Sequence, residues 1–298
     1  MKFTLSSSEI DFANLSRDQI VNHFKSSISI TTKTGLIRTL AKAPFFATFY
    51  SDQNEFFPRS YDLSSSADIC SFIDDSMNLK AEAILIRLLS THDPKLSTVV
   101  NIGVIDILCK IVKRYNRGLG DSSLMNKGFN PLDSLIVHYA ETWIHEIVSE
   151  SELDTDDTFL NLLESFLPKS KDQDSAKKWN YMKKKILDSM ARLEAMNDRI
   201  ISLIKNTLDH SACDKNHPQQ AINGSGASNN LWIIKPGGKS RGRGIHVFQN
   251  LENLLRHIKP AIDGAKANQY VVQKYIENPL TIQGRKFDIR QWILVTGK

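Results

Sequence analysis

Leu231-Trp232-Ile233-Ile234-Lys235-Pro236-Gly237-Gly238-Lys239-Ser240-Arg241-Gly242-Arg243-Gly244-Ile245 joins a compact apolar run of β type to a basic, glycine-rich loop. Four glycines fall within residues 237–244, interleaved with Lys239, Arg241 and Arg243. Glycine lets the backbone turn sharply and approach a ligand, and clustered N–H groups and cations hold an anion there. That is the composition of a phosphate-gripping loop.

The commoner phosphate loops do not fit it. A P-loop ending at Gly238-Lys239-Ser240 needs a glycine at position 233, where Ile233 stands. The dinucleotide fingerprint starting at Gly242 needs a glycine where Val247 stands, and the sequence has neither Asp-Phe-Gly nor His-Arg-Asp of a protein kinase. Lys235 closes the strand, which gives its side chain a fixed direction. An ammonium held ~4 Å from a phosphate oxygen is worth ~4 kcal/mol at an effective dielectric of about 20, before desolvation is subtracted. Alone, Lys235 is better read as a surface lysine ending a strand; the segments that follow give the phosphate reading its weight.

Residues 269–277, Gln-Tyr-Val-Val-Gln-Lys-Tyr-Ile-Glu, form an apolar strand running into a polar stretch. Backbone groups at such a strand end can read the edge of an adenine while aliphatic neighbours pack on its face. A final strand is expected over residues 285–295. Its alternation puts Lys286, Asp288 and Arg290 on one face and Phe287, Ile289 and Gln291 on the other. Three charges on one face of a strand are costly unless a ligand or mutual pairing satisfies them.

The order of these three segments resembles the ATP-grasp core of the tubulin tyrosine ligase-like family. The extra glycines and arginines of the first segment resemble its glycine-ligase (tubulin monoglycylase) branch. Residues 56–63, Phe-Phe-Pro-Arg-Ser-Tyr-Asp-Leu, are similar to a stretch that precedes the core in the same branch. The likeness is strong over residues 231–298, modest around 56–75 and weak elsewhere.

By that resemblance Lys235 binds the nucleotide phosphates, and Arg241 with Gly242 belongs to a loop closing over them. Gln273, Lys274, Tyr275 and Ile276 form the adenine-side hinge. Lys286 reaches the phosphates again, Asp288 helps position ribose, nucleotide or substrate amine, and Arg290 holds the acyl phosphate or the acceptor. Lys286, Asp288 and Arg290 are thus the expected catalytic residues. The family reaction is ligation: ATP phosphorylates a glutamate side-chain carboxylate, and the amine of an incoming amino acid displaces phosphate. The implied cofactors are ATP and Mg2+, with the metal ligands expected beyond residue 298. The implied partners are tubulin or microtubules, through their acidic tails, with glycine as co-substrate, in cytoplasm, cytoskeleton, cilium or axoneme. Because the chain stops inside or just after a core strand, the ATP-grasp core is expected to be incomplete, with weak ATP binding and no turnover by this chain alone.

Two readings stay open beside the glycine ligase. One is a polyglutamylase of the same family. The other is a non-catalytic protein that grips acidic tails with a positive surface. From Lys235 to the end there are twelve Lys/Arg against four Asp/Glu, a charge of +8, while the preceding 234 residues sum to −3. A field concentrated in this way needs an anionic partner. Nucleic acid fits less well, because Trp232, Tyr270, Tyr275 and Trp292 sit in strand patterns that serve core packing rather than a stacking platform.

The remainder of the 298 residues has an ordinary folded composition, 41% hydrophobic and 24% charged, and length enough for more than one structural unit. The expected class is α/β (α+β): an N-terminal α/β region over 1–63, a mainly helical region over 64–208, a flexible linker or loop over 209–230, and the partial ATP-grasp core over 231–298. Residues 1–63 carry short mixed runs, with Ile28 and Ile30 alternating and a buried strand at 45–50. Helical spacing of apolar residues covers 79–116 and 132–148. The longest helix is expected over 175–208, with Trp179, Met182, Ile186, Met190, Leu193, Ile200, Ile204 and Leu208 forming a packing stripe. No apolar run is long enough for a membrane span, and no leader pattern opens the chain. Cys70, Cys109 and Cys213 are too few and too far apart for a disulfide frame and fit reduced thiols. His210, Cys213 and His217 lack a fourth ligand at a zinc-site spacing.

Overall fold

Side chains of residues 232–236 alternate between buried and half-buried, as a strand with one face on a core requires. The structure, a computed structural model, describes residues 3–5, 7–42, 57–92, 98–118, 131–146, 157–166, 181, 184, 187–188, 190, 192–211, 230–237, 242–264 and 270–291. In chain order the described elements are α1 (Ile28–Thr31), α2 (Lys33–Lys42), β1 (Ser60–Asp62), α3 (Ser66–Thr91), β2 (Val99–Asn101) and α4 (Ile102–Gly118). There follow α5 (Pro131–Trp143), α6 (Asp157–Glu164), β3 (Leu193–Ala195), α7 (Asp198–Ser211), β4 (Trp232–Pro236) and β5 (His246–Phe248). The last are α8 (Leu251–Asp263), β6 (Tyr270–Lys274), β7 (Thr281–Ile282) and β8 (Arg285–Lys286). The protein is α+β, with antiparallel sheets among many helices.

The central sheet has the order β1-β6-β4-β5, every pair antiparallel. Its register puts Trp232, Ile234, Val272, Lys274 and Tyr61 on one face and Ile233, Lys235, Val271, Gln273, Ser60 and Asp62 on the other. The first face packs on the helices. Trp232 meets Phe72 of α3 edge-on at 5.0 Å between ring centroids, and Tyr61 completes the cluster. One continuous apolar core runs from Leu63 through α3, α4, α5, α6, α7 and α8 to Val272. Burying a side chain such as Phe72 stabilises by about 1.5–3 kcal/mol.

Capping residues fix where the helices begin. Ser65 accepts the Asp68 N–H at the start of α3, and Asn250 accepts the Asn253 N–H at the start of α8. Leu251, Leu254, Leu255 and Ile258 give α8 one buried stripe, while Glu252 pairs with Arg256 on its outer side.

Several sequence expectations change. The helical spacing over 79–116 is interrupted: α3 ends at Thr91, and Val99–Asn101 is a strand paired with Leu193–Ala195. Asn101 explains the restart. Its Oδ1 takes the Gly103 and Val104 N–H groups, while its Nδ2 donates to the carbonyls of Glu146 and Met190. The helix expected over 175–208 is likewise broken by β3, and α7 starts anew where Asn197 Oδ1 accepts the Ile200 N–H. Met190, Ile200 and Ile204 are core as expected, but Leu193 is exposed on the strand. Trp179, Met182 and Ile186 lie outside the described residues. Ile28 and Ile30 do not form a strand; they sit exposed on the single turn α1. Residues 45–50 lie outside the described residues. Helix α5 matches the expectation for 132–148 at its start and ends at Trp143.

The strand expected over 285–295 is the largest departure near the site. Among the described residues of that stretch only Arg285–Lys286 is a strand, paired with Thr281–Ile282 across a tight turn at Gln283 and Gly284, and residues 292–295 lie outside the described residues. Both turn residues have positive φ, the geometry of the two-residue hairpin that prefers glycine. Residues 287–291 leave the ladder, because a strand persists only where a neighbour completes its hydrogen bonds.

A buried ionic node fastens β1 to the helices. Asp75 of α3, fully buried, accepts from Arg59 at 2.5 Å, Tyr61 at 2.8 Å and Tyr115 of α4 at 2.8 Å. Burial works against the Arg59 charge more than any one partner favours it, but Asp75, Tyr115 and Tyr61 together outweigh it and hold the guanidinium above its ordinary pKa. Burial, then Asp75, raises the pKa of both phenols, so they remain donors. The Arg59 carbonyl in turn accepts the Lys274 N–H at 2.8 Å, carrying this anchorage into β6.

Candidate functional site

Lys235 is one residue from the end of β4, on the sheet face away from the core. Its cross-strand partner is Val271, and the diagonal neighbour Gln273 reaches back to it: Lys235 Nζ donates to Gln273 Oε1 at 2.5 Å. Gln273 Nε2 donates to Ser60 Oγ on β1 at 2.8 Å. The segment around residue 60, similar in sequence to a stretch upstream of the family core, is therefore a strand of the same sheet.

Two more lysines converge here. Lys33, the first residue of α2, donates to the Pro236 carbonyl at 3.1 Å. Lys286 lies over the Tyr275 ring, 4.9 Å from its centroid, with Nζ 3.4 Å from the phenol oxygen. Burial, then the charges of Lys33 and Lys286, holds the Lys235 ammonium below the usual lysine range. An ammonium opposed by burial and by two neighbouring cations gains from any anion placed beside it. Asp62, on the same face, is engaged by Arg38 of α2 at 2.6 Å and by the Ser64 hydroxyl and N–H.

The expected site residues fall into distinct positions. Lys235 and Gln273 touch, and Tyr275 supports Lys286. Lys274, by contrast, turns to the core side: it is 2% exposed, paired with Glu277 and bonded to the Leu231 carbonyl at 3.2 Å. The backbone N–H groups of Lys274 and Tyr275 are engaged by the carbonyls of Arg59 and Leu231, so a base can use neither. Ile276 is exposed just beyond β6. Gly242 and Gly244 both have φ of 72°. A Cβ on Gly242 would meet nothing within 4 Å, so the dihedral rather than crowding calls for glycine. Arg241 lies outside the described residues. Asp288 and Arg290 are exposed on the segment after β8. Lys33 and Ser60 were not legible as site residues; each is more than 170 positions from Lys235 and arrives only through the fold.

An antiparallel sheet end carrying a strand-held lysine and two further ammoniums is the arrangement of a candidate anion site in an α+β protein. Residues 158–298 match the tubulin-tyrosine ligase family. It is similar to tubulin glycylase 3C of Tetrahymena thermophila, 31% identical over 316 residues that cover 99% of this chain and 28% of the relative. The mouse protein monoglycylase TTLL8 is 30% identical over 99% of this chain and 33% of its own length. The human tubulin monoglycylase TTLL3 is 55% identical over 67 residues, 22% of this chain and 9% of the relative. The chain thus spans about a third or less of these relatives. No solved structure matches it.

Proposed function

We propose that this chain supplies the phosphate-binding part of an ATP-dependent ligase with an ATP-grasp core, which joins glycine to glutamate side chains of tubulin through an acyl phosphate. The observation that carries the reading is the gathering of Lys235, Lys33 and Lys286 at one sheet end. The names of the relatives, tubulin glycylases and monoglycylases, support glycine and tubulin. Action on microtubules of the cytoskeleton or cilium goes with that substrate.

The residues fit a triphosphate. Lys235, aimed by Gln273, offers the N–H donors that its amide contact leaves over, while Lys33 and Lys286 add charge where phosphoryl oxygens gather it. ATP supplies the phosphoryl group that activates a carboxylate. Asp288 and Arg290, exposed beyond β8, are placed by the reading on the side of the acceptor and amine. Among the described residues no three His, Cys, Asp or Glu side chains gather to hold a metal, so no step is assigned through Mg2+.

The test is incorporation of tritiated amino acid into tubulin by the full gene product with ATP. Glycine incorporation is expected; incorporation of glutamate alone would make the protein a polyglutamylase. Salt-sensitive, ATP-independent microtubule binding that survives Lys235→Ala, with no incorporation of either, would make it a non-catalytic binder.

A further inference from the structure

Ser60 stands two strands from β4, with β6 between them. Its hydroxyl has a single proton, and that proton goes to the Pro58 carbonyl at 2.7 Å. Towards Gln273 it can therefore only accept, and it takes the Nε2–H of the amide at 2.8 Å. This orients the amide: with Nε2 turned to Ser60, Oε1 faces Lys235 at 2.5 Å. The opposite amide rotamer would set an NH2 group against an ammonium, two donors with no acceptor between them. Gln273 is buried between β1 and β4, so water is poorly placed to correct the error.

The chemistry of the partner matters as much as its position. The carboxylate that shares the face, Asp62, is turned to Arg38 and Ser64. Lys235 is held instead by a neutral amide, which fixes its direction without cancelling its charge. An ammonium has three protons, and this contact uses one.

We propose that Ser60 and Gln273 form a polarised relay that aims the Lys235 ammonium at the bound phosphate, which makes Ser60 a positioning residue for a ligand it does not touch. The relay rests on the phosphate-binding role of Lys235 proposed above. It extends the site to a strand outside the glycine loop, the hinge and the hairpin.

The experiment is competitive acetylation of the full gene product across pH, read at Lys235 by mass spectrometry, with and without millimolar ATP. Lys274, on the opposite face and paired with Glu277, is the internal reference. In the unaltered chain ATP protects Lys235. In Ser60→Ala the amide loses its orientation and Lys235 its acceptor, so the lysine titrates about half a pH unit lower, reacts roughly threefold faster near pH 8, and needs about fivefold more ATP for half protection. Ser60→Thr, which keeps the hydroxyl, restores both, and Lys274 labelling stays unchanged. ATP protection and Lys235 titration unaltered in Ser60→Ala overturn the relay alone. Should that variant unfold the edge strand, Gln273→Glu decides: a carboxylate there must raise the Lys235 titration and weaken ATP protection, and no change overturns the relay. Absence of ATP protection in the unaltered chain overturns the phosphate reading and the relay with it.

Discussion

The two faces of the central sheet each carry a lysine, buried on one and half-buried on the other, and they treat it differently. On the core face Lys274 is nearly sealed from solvent, paired with Glu277, bonded to the Leu231 carbonyl and set 5.8 Å from the Trp232 ring centroid. On the other face Lys235 has a neutral amide and the repulsion of two lysines. Burial leads in lowering the pKa of both, but Glu277 opposes the shift at Lys274, whereas Lys33 and Lys286 add to it at Lys235. A buried ion pair satisfies the fold, while a half-buried cation among cations waits for an anion. The lesson is that burial of a lysine does not by itself identify a site; the sign and nature of what surrounds it do.

That contrast can be broken at four points. Trp232→Ala should cost the most stability, about 3–5 kcal/mol, because it empties the centre of the packed face; urea unfolding measures it. Lys274→Ala should cost about 3 kcal/mol, since it leaves Glu277 buried without its cation, and the double change Lys274→Met with Glu277→Leu should recover most of that loss. Lys235→Ala should leave urea unfolding within about 1 kcal/mol and weaken ATP binding at least about tenfold, about 1.4 kcal/mol, by titration calorimetry. If Lys235→Ala instead unfolds the protein and Lys274→Ala abolishes ATP binding alone, the two faces have been assigned the wrong way round.

The smallest effect is one of pH. Burial, then Lys33 and Lys286, holds the free Lys235 ammonium below the ordinary lysine range, so its pull on phosphate declines as pH rises through that depressed value. ATP affinity should fall with rising pH before ordinary lysines deprotonate, by a few-fold, and Lys235→Arg should flatten the slope. A wild-type profile flat to the ordinary lysine range would remove the like-charge account of the site.

Much of the sheet was legible because its signals are local. The apolar run before Lys235 and that before Lys274 became β4 and β6, and the glycines predicted as turns at 242 and 244 have the left-handed dihedrals only they adopt easily. The end of α3 at Thr91 and the strands at Val99–Asn101 and Leu193–Ala195 were not legible. The same apolar residues satisfy a helical spacing, and only the pairing of Val99–Asn101 with Leu193–Ala195 makes the extended form the better one. Their caps, Asn101 and Asn197, are helix-start signals of the ordinary kind, each accepting N–H groups of the helix that follows.

What the amino-acid sequence determined by itself is the chemistry available near Lys235: a strand-held ammonium, a glycine turn and an excess of positive charge, all within one segment and all following from residue type and short-range geometry. Tertiary structure decided which side chains share that chemistry. Lys33 is 203 residues from Pro236 and Ser60 is 213 from Gln273, distances over which no periodicity carries information. Only the closing of β1 onto β6, anchored by the buried Arg59–Asp75 pair, brings them to Lys235, because hydrogen bonds and desolvation act over a few ångströms of space and not along the chain.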